Sequence, residues 1–310
     1  MTDTEKTAVY KAFGLRVLSE VPLPELTHMD DQEGGADVRI EVDDLSGLWS
    51  ELAASQRNFV VDADLTMFQI ANTATFLVTK GDRIIVSPMQ GADEDKMRLY
   101  ILGTCMGALL MQRKVLPLHG SAVAIDGKAY GIIGERGAGK STLAAAFLKR
   151  GCQLLSDDVI AVSFSDSGIP MVTPSYPQQK LWQESLEAFG MDTGHYQPLF
   201  ERETKYAVPV HAKYSDQPFP LAGVFELIKS EIGKIEIQPI PKLASLYTIY
   251  CHTYRNFIIP RSGLMQWHFD TSVNIVDQTQ VWQLRRPTGS FTASELASLI
   301  FTTLNKEGRL

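Results

Sequence analysis

The chain has 310 residues, 45% of them apolar and 21% charged, the make-up of a folded chain rather than a disordered one. Its formal charge of −7 excludes the broad basic surface that nucleic acid or an anionic membrane needs. Three cysteines, Cys105, Cys152 and Cys251, form no Cys-x-x-Cys pair, which excludes a disulfide scaffold and a zinc site and points to a reduced, cytoplasmic setting.

Residues 1–92 read as a small N-terminal α/β module. Met1 to Lys11 carries acidic residues and no apolar run, so no signal peptide is expected there. Residues 9–18 and 38–42 read as strands and 43–52 as a short helix. Segments 67–70, 75–80 and 83–86 alternate as strands do, with Gly81-Asp82 as a turn. From 93 to 114 the pattern becomes helical, with Met97, Tyr100, Ile101, Thr104, Cys105, Ala108 and Leu109 on one side. This helix opens the second domain, assigned to 93–310. Its apolar core is shorter than the roughly 20 residues that span a bilayer. Gly103-x-x-x-Gly107 within it reads as close packing of a buried helix.

Apolar strands follow at 121–125 and 128–133, joined by Asp126-Gly127, both of which tolerate the positive φ of a tight hairpin. The second runs into Gly134. A helix over 140–149 faces the sheet with Leu143, Phe147 and Leu148 and stops at Gly151. Residues 153–155 form the next strand and deliver Asp157 and Asp158 at its end, before a hairpin of 159–164 and 169–172. Then come a short helix at 181–189, a loop over 190–212 that could close over substrate, strands at 222–228 and 234–239, a helix at 243–255 and a strand at 281–285. The last helix begins with a capping box, Thr292-Ala-Ser-Glu295.

Gly134-Glu135-Arg136-Gly137-Ala138-Gly139-Lys140-Ser141 matches the phosphate-loop pattern G-x-x-x-x-G-K-[ST] in full, and it sits between a strand and a helix. The glycines let the backbone N–H groups close on phosphate oxygens, and the helix points its positive end at them. Lys140 supplies a cation for the β/γ-phosphates, and the Ser141 hydroxyl suits magnesium. Together with Thr142, this run is the expected site for ATP and Mg2+. No Ser-Gly-Gly signature of transport ATPases is present, and the only Asn-Lys, Asn305-Lys306, lacks the aspartate of a GTPase.

The run from His119-Gly-Ser-Ala-Val-Ala-Ile-Asp-Gly-Lys through the loop to Lys149-Arg-Gly-Cys-Gln-Leu-Leu-Ser-Asp157-Asp158 resembles the HPr kinase/phosphorylase family. The resemblance implies a fold related to phosphoenolpyruvate carboxykinase in the second domain. It also implies catalytic roles for His119, Lys140 and Asp158, and it makes a closed homo-oligomer conceivable. Two departures shift the acceptor away from HPr: Thr142 stands where the family has glutamate, and the family's Glu-x-Arg-Gly signature is replaced by Pro174-Ser-Tyr-Pro-Gln-Gln-Lys-Leu-Trp182. With that segment the chain is similar to kinases of lasso-peptide gene clusters, which modify a C-terminal serine of the precursor.

Phosphoryl transfer needs an acceptor oxygen held in line and charge neutralised. Asp158 is the candidate base for the acceptor hydroxyl and Asp157 the candidate magnesium ligand beside Ser141. Lys180, Arg202, Lys205, Arg255 and Arg261 are candidate contacts to phosphate or a substrate carboxylate. Tyr176 and Trp182 are candidate walls of a substrate cleft. The expected activity is ATP-dependent phosphorylation of a peptide or protein serine. A kinase of a small hydroxyl compound such as free serine and a non-catalytic nucleotide-gated module are the alternatives.

Overall fold

The computed structural model describes residues 7–30, 34–53, 58–199, 202–231 and 233–308, with backbone alone at 202 and 203. The chain divides into two compact units, Met1–Val115 with Arg255–His268, and Leu116–Tyr254 with Phe269–Leu310.

The first unit is built on an eight-stranded sheet of order β3-β1-β2-β4-β8-β7-β6-β5. Its strands are β1 (Ala8–Ala12), β2 (Leu15–Ser19), β3 (Thr27–His28), β4 (Val38–Val42), β5 (Phe59–Asp62), β6 (Leu65–Ile70), β7 (Ala74–Thr79) and β8 (Arg83–Pro88). The expected single strand over 9–18 is a hairpin, because Phe13 and Gly14 both take positive φ and reverse the chain. Helix α1 (Ser46–Leu52) packs Trp49 and Leu52 beside Met67 and Leu77. The helical run from Asp93 comprises α2 (Glu94–Tyr100), a π-turn (Ile101–Cys105) and α3 (Met106–Gln112). It lies within this first unit. Tyr100 meets Phe68 and Phe76 of the sheet, and Gly103 and Gly107 are buried, as close packing requires.

The second unit contains a seven-stranded sheet of order β10-β9-β11-β12-β16-β18-β17, with β10 also paired to β16. The described strands of this unit, three of which (β13, β14 and β15) form a separate sheet, are β9 (Leu116–Ile125), β10 (Lys128–Ile133), β11 (Gln153–Phe164), β12 (Pro170–Thr173), β13 (Gln178–Trp182), β14 (Gln197–Leu199), β15 (Arg202–Pro209), β16 (Phe219–Ser230), β17 (Glu236–Pro239) and β18 (Gln280–Pro287). Among the described residues the remaining α-helices are α4 (Lys140–Lys149), α5 (Gln183–Ala188), α6 (Lys242–Cys251), α7 (Ile258–Arg261), α8 (Met265–Gln278) and α9 (Ala293–Lys306).

The β9–β10 hairpin turns at Asp126 and Gly127, at φ 46° and 73°. Strands β10, β16 and β18 are mutually parallel, so their carboxyl ends lie together. Open α/β sheets bind ligands at such ends. Beneath them α4 and α9 pack on the sheet through Leu143, Phe147, Leu296 and Ile300, against Ile132, Phe225, Leu227 and Trp282.

Several expectations are corrected here. Residues 153–155 are only the start of β11, which continues through Asp157 and Asp158 because Ser121 and Gly120 of β9 go on pairing with them. The expected loop over 190–212 contains β14 and β15, which join β13 in a three-stranded sheet; 200 and 201 lie outside the described residues. The expected helix at 181–189 starts later, as α5, because Leu181 and Trp182 are still paired to β15. The capping box does not form: Thr292 sits at φ −116°, ψ 13° rather than in the extended geometry of a cap, and its hydroxyl makes no cap bond. Helix α8 was not anticipated. Its buried stripe of His268, Thr271, Ser272 and Ile275 has helical spacing but is mostly polar.

Candidate active site

The loop from Gly134 to Ser141 links the end of β10 to the start of α4. Gly134 takes φ 148°, and a Cβ there would lie 2.4 Å from the Leu227 carbonyl oxygen on β16, so the position requires glycine. Glu135, Arg136 and Gly137 are exposed, while Ala138 is buried. The amides of the first turn of α4 have no carbonyl partner inside the helix and make its positive end. Lys140 is 8% exposed, and its Nζ donates to the carbonyl oxygens of Gly134 at 2.8 Å and Glu135 at 3.1 Å. Burial draws this ammonium below its ordinary range, with Asp158, Asp157 and Glu135 acting the other way. Thr142 shares a hydrogen bond of 2.8 Å with the Ser185 hydroxyl of α5, and the Ser141 carbonyl accepts one from Gln179 Nε2.

The aspartates sit across β9 from the loop. In register, Gly120 of β9 faces Ile133 on one side and Asp158 on the other. Asp157 is buried, and each of its oxygens already accepts a bond: Oδ1 from the Ser121 hydroxyl and Oδ2 from the Lys180 N–H at 2.8 Å. Asp158 has φ 92°, a backbone conformation that L side chains rarely adopt. Its Oδ2 accepts from Lys180 Nζ at 2.9 Å, and its Oδ1 lies 3.4 Å from His119 Nδ1. Burial favours the neutral acid, but Lys180, His119 and Lys205 outweigh it and hold the carboxyl well below the usual carboxylate range. Burial likewise opposes the Lys180 charge, and Asp158 more than offsets it, keeping the ammonium protonated.

His119 Nδ1 also lies 3.0 Å from the Asp158 carbonyl oxygen, and the Tyr254 ring packs edge-on at 5.5 Å. The His119 N–H donates to the His252 carbonyl at 2.7 Å, which fixes this stretch of β9 from its far side. Burial draws the imidazole below its ordinary range, Asp158 pulls it up, and Lys140 pushes it down.

A cleft of about 870 Å³ adjoins the loop and is lined by Gly137, Gly139, Trp182, Lys229, Arg286 and Phe291. Lys229 and Arg286 are register partners at the ends of β16 and β18. Arg286 Nε donates to the Ala138 carbonyl at 2.7 Å, and Lys229 Nζ comes within 3.8 Å of where a Gly137 side chain would begin. Sequence reasoning missed both. Each ends a strand of ordinary appearance, and only the parallel order β10-β16-β18 brings them beside the loop.

Lys180 is 6% exposed and meets the aspartates; Lys205 lies over the Trp182 ring and acts on Asp158 electrostatically. Tyr176 is buried, while Trp182 lines the cleft. Arg255 and Arg261 belong to the first unit, where they lie over Phe59 and Phe257. The Arg202 side chain lies outside the described residues.

Among the described residues no group of three or more His, Cys, Asp or Glu side chains could hold a metal ion. Magnesium does not require one, since it keeps several waters and takes one or two protein oxygens together with substrate phosphates. The Ser141 hydroxyl suits that mode, whereas both Asp157 oxygens are already engaged by protein donors. No helix among the described residues is long and apolar enough to cross a membrane.

No protein-family model and no curated protein matches this chain. Among solved structures, the chain is similar to the Hpr(Ser) kinase/phosphatase from Coxiella burnetii. The identity is 16% and the TM-score 0.34, over 62% of this chain and 95% of that one.

Proposed function

We propose that this chain transfers the γ-phosphoryl group of ATP to a serine hydroxyl of a peptide or protein, working in the cytoplasm. The observation that supports this most is the Asp158 carboxylate, kept ionised by Lys180 and His119 one strand away from the phosphate loop. Taking the proton of an acceptor hydroxyl uses such a fixed, ionised carboxylate, which nucleotide binding alone does not require.

In this reading the loop amides and the start of α4 hold the phosphates. Lys140 exchanges its bonds to the Gly134 and Glu135 carbonyls for β/γ-phosphate oxygens. The Ser141 hydroxyl would hold magnesium, which would neutralise charge on the phosphates. Lys229 and Arg286 add positive charge on the opposite side of the loop. Asp158 orients the acceptor hydroxyl and takes its proton late, which suits a loose transition state in which bonding to the nucleophile lags. Its low proton affinity makes it a better orienter than early base. His119 holds Asp158 in place, and Asp157 serves the architecture between Ser121 and Lys180.

The finer reading of the acceptor is the C-terminal serine of a lasso-peptide precursor. It rests on the Pro174–Trp182 segment and on the missing Glu-x-Arg-Gly signature. Incubation with ATP labelled in the γ-phosphate, magnesium and candidate peptides tests it by mass spectrometry. A peptide serine gains one phosphate, and Asp158→Asn lowers the rate by about 10²–10⁴-fold, the usual contribution of such a group. Transfer to free serine but to no peptide moves the acceptor to a small molecule. Nucleotide binding without transfer to any hydroxyl, unaltered by Asp158→Asn, refutes the kinase reading.

A further inference from the structure

We infer that Lys180 is a positioning residue that locks both aspartates of the site at once, Asp157 through its backbone and Asp158 through its ammonium. The inference rests on the kinase reading for its catalytic consequence, while the lock itself stands on geometry.

Lys180 lies in β13, where it faces Ala207 of β15. Its N–H donates to Asp157 Oδ2 at 2.8 Å, and its Nζ donates to Asp158 Oδ2 at 2.9 Å. One residue therefore reaches two successive residues of β11 from a different sheet. Lys180 is 6% exposed, so it is not a surface lysine that happens to lie near an acid. A lysine taken out of water is costly unless paired, and the pair with Asp158 is short. Asp158 needs such a partner for a second reason. Its φ of 92° in mid-strand persists only where the surroundings over-determine it. Register with Gly120 fixes its backbone, His119 approaches Oδ1, and Lys180 holds Oδ2.

The charged and polar groups around Asp158 come from every neighbouring element: His119 on β9, Lys140 on α4, Lys180 on β13, Lys205 on β15, and Asp157 beside it. Tyr176 and Tyr254 bear on Lys180 electrostatically. Of the cations, Lys180 makes the direct bond. It lowers the negative charge that an incoming γ-phosphate would meet, and it leaves Oδ1 on the His119 side for an acceptor hydroxyl.

The test follows the Asp158 carboxyl by 13C resonance in the full chain, assigned by its loss in Asp158→Asn, with phosphoryl transfer measured in parallel. In the wild-type chain Asp158 stays ionised below the ordinary aspartate midpoint of about 3.9. In Lys180→Gln the midpoint rises by about 1–3 pH units, the usual effect of one adjacent cation. Lys180→Arg keeps it low. In transfer, Lys180→Gln lowers kcat while KM for ATP holds, and the acid limb of kcat moves upward in pH. A wild-type midpoint in the ordinary range overturns the lock, even if Lys180→Gln fails to fold. So does an unmoved midpoint in Lys180→Gln, or an effect confined to KM for ATP, which would make Lys180 a phosphate ligand. A low wild-type midpoint without any transfer supports the lock and overturns the kinase reading instead.

Discussion

Gly120→Ala is a small change at the narrowest point of the site. Strand β9 runs between β10 and β11, and Gly120 faces both Ile133 and Asp158 in register. A Cβ at this position would lie 2.2 Å from the Ile132 carbonyl oxygen, 3.1 Å from its carbon and 3.1 Å from Ile160 Cδ1. The isoleucine methyl can turn aside. The carbonyl cannot, because it belongs to the backbone of a paired strand. Forcing extra volume into a packed interior costs about 1–3 kcal/mol, and a backbone obstacle puts this case near the upper end. For a unit of this size each kcal/mol is about 2–4 °C, so the melting temperature falls by roughly 6–12 °C. The displaced strands carry His119, Asp158 and the start of the phosphate loop, so stabilisation by MgATP is lost as well. Gly131→Ala is the control. A Cβ there would meet only side-chain atoms, the nearest at 3.6 Å, and glycine in a strand interior is about 0.5–1 kcal/mol worse than alanine. Thermal melts by circular dichroism with and without MgATP read both. If Gly120→Ala melts with the wild-type chain, or if Gly131→Ala is the more damaging, the close-approach argument is wrong.

Lys140→Met removes the buried ammonium from the loop. The wild-type chain gains about 2.7 kcal/mol at an ATP concentration of 100 times Kd, and the variant gains nothing, as read from the melting shift. An equal shift in both would take Lys140 out of the nucleotide site. His119 is held below its ordinary proton affinity by burial, so the folded chain resists the proton that the unfolded chain accepts near pH 6.5. Its contribution is complete above that pH and declines as pH falls through and below it. Urea midpoints between about pH 8 and about pH 5 should fall for the wild-type chain and fall less for His119→Asn. Parallel declines would show that the loss comes from other groups.

The strand–loop–helix unit around residues 134–141 was legible because its geometry is local. Glycines at set spacing, a lysine and a hydroxyl between a strand and a helix are all properties of adjacent residues, and α4 runs over Lys140–Lys149 as its apolar spacing predicts. The β9–β10 turn was legible for the same reason, since Asp126 and Gly127 supply positive φ on their own. How the two aspartates are held was not. Asp157 and Asp158 are adjacent and chemically identical. Only the third partner, Lys180 on a strand of another sheet, buries one between two donors and leaves the other ionised and half reachable. Strand β15 escaped notice because a strand gains its hydrogen bonds from a distant segment, here β13, and periodicity carries no record of that segment. Lys229 and Arg286 became visible only once β10, β16 and β18 lay in parallel, and α8 because tertiary burial overrode a polar stripe. Sequence by itself therefore determined a loop of glycines, a lysine and a hydroxyl between a strand and a helix. Pairing between strands far apart in the chain decided which charges surround Asp158, because those interactions depend on distance in space rather than on spacing along the backbone.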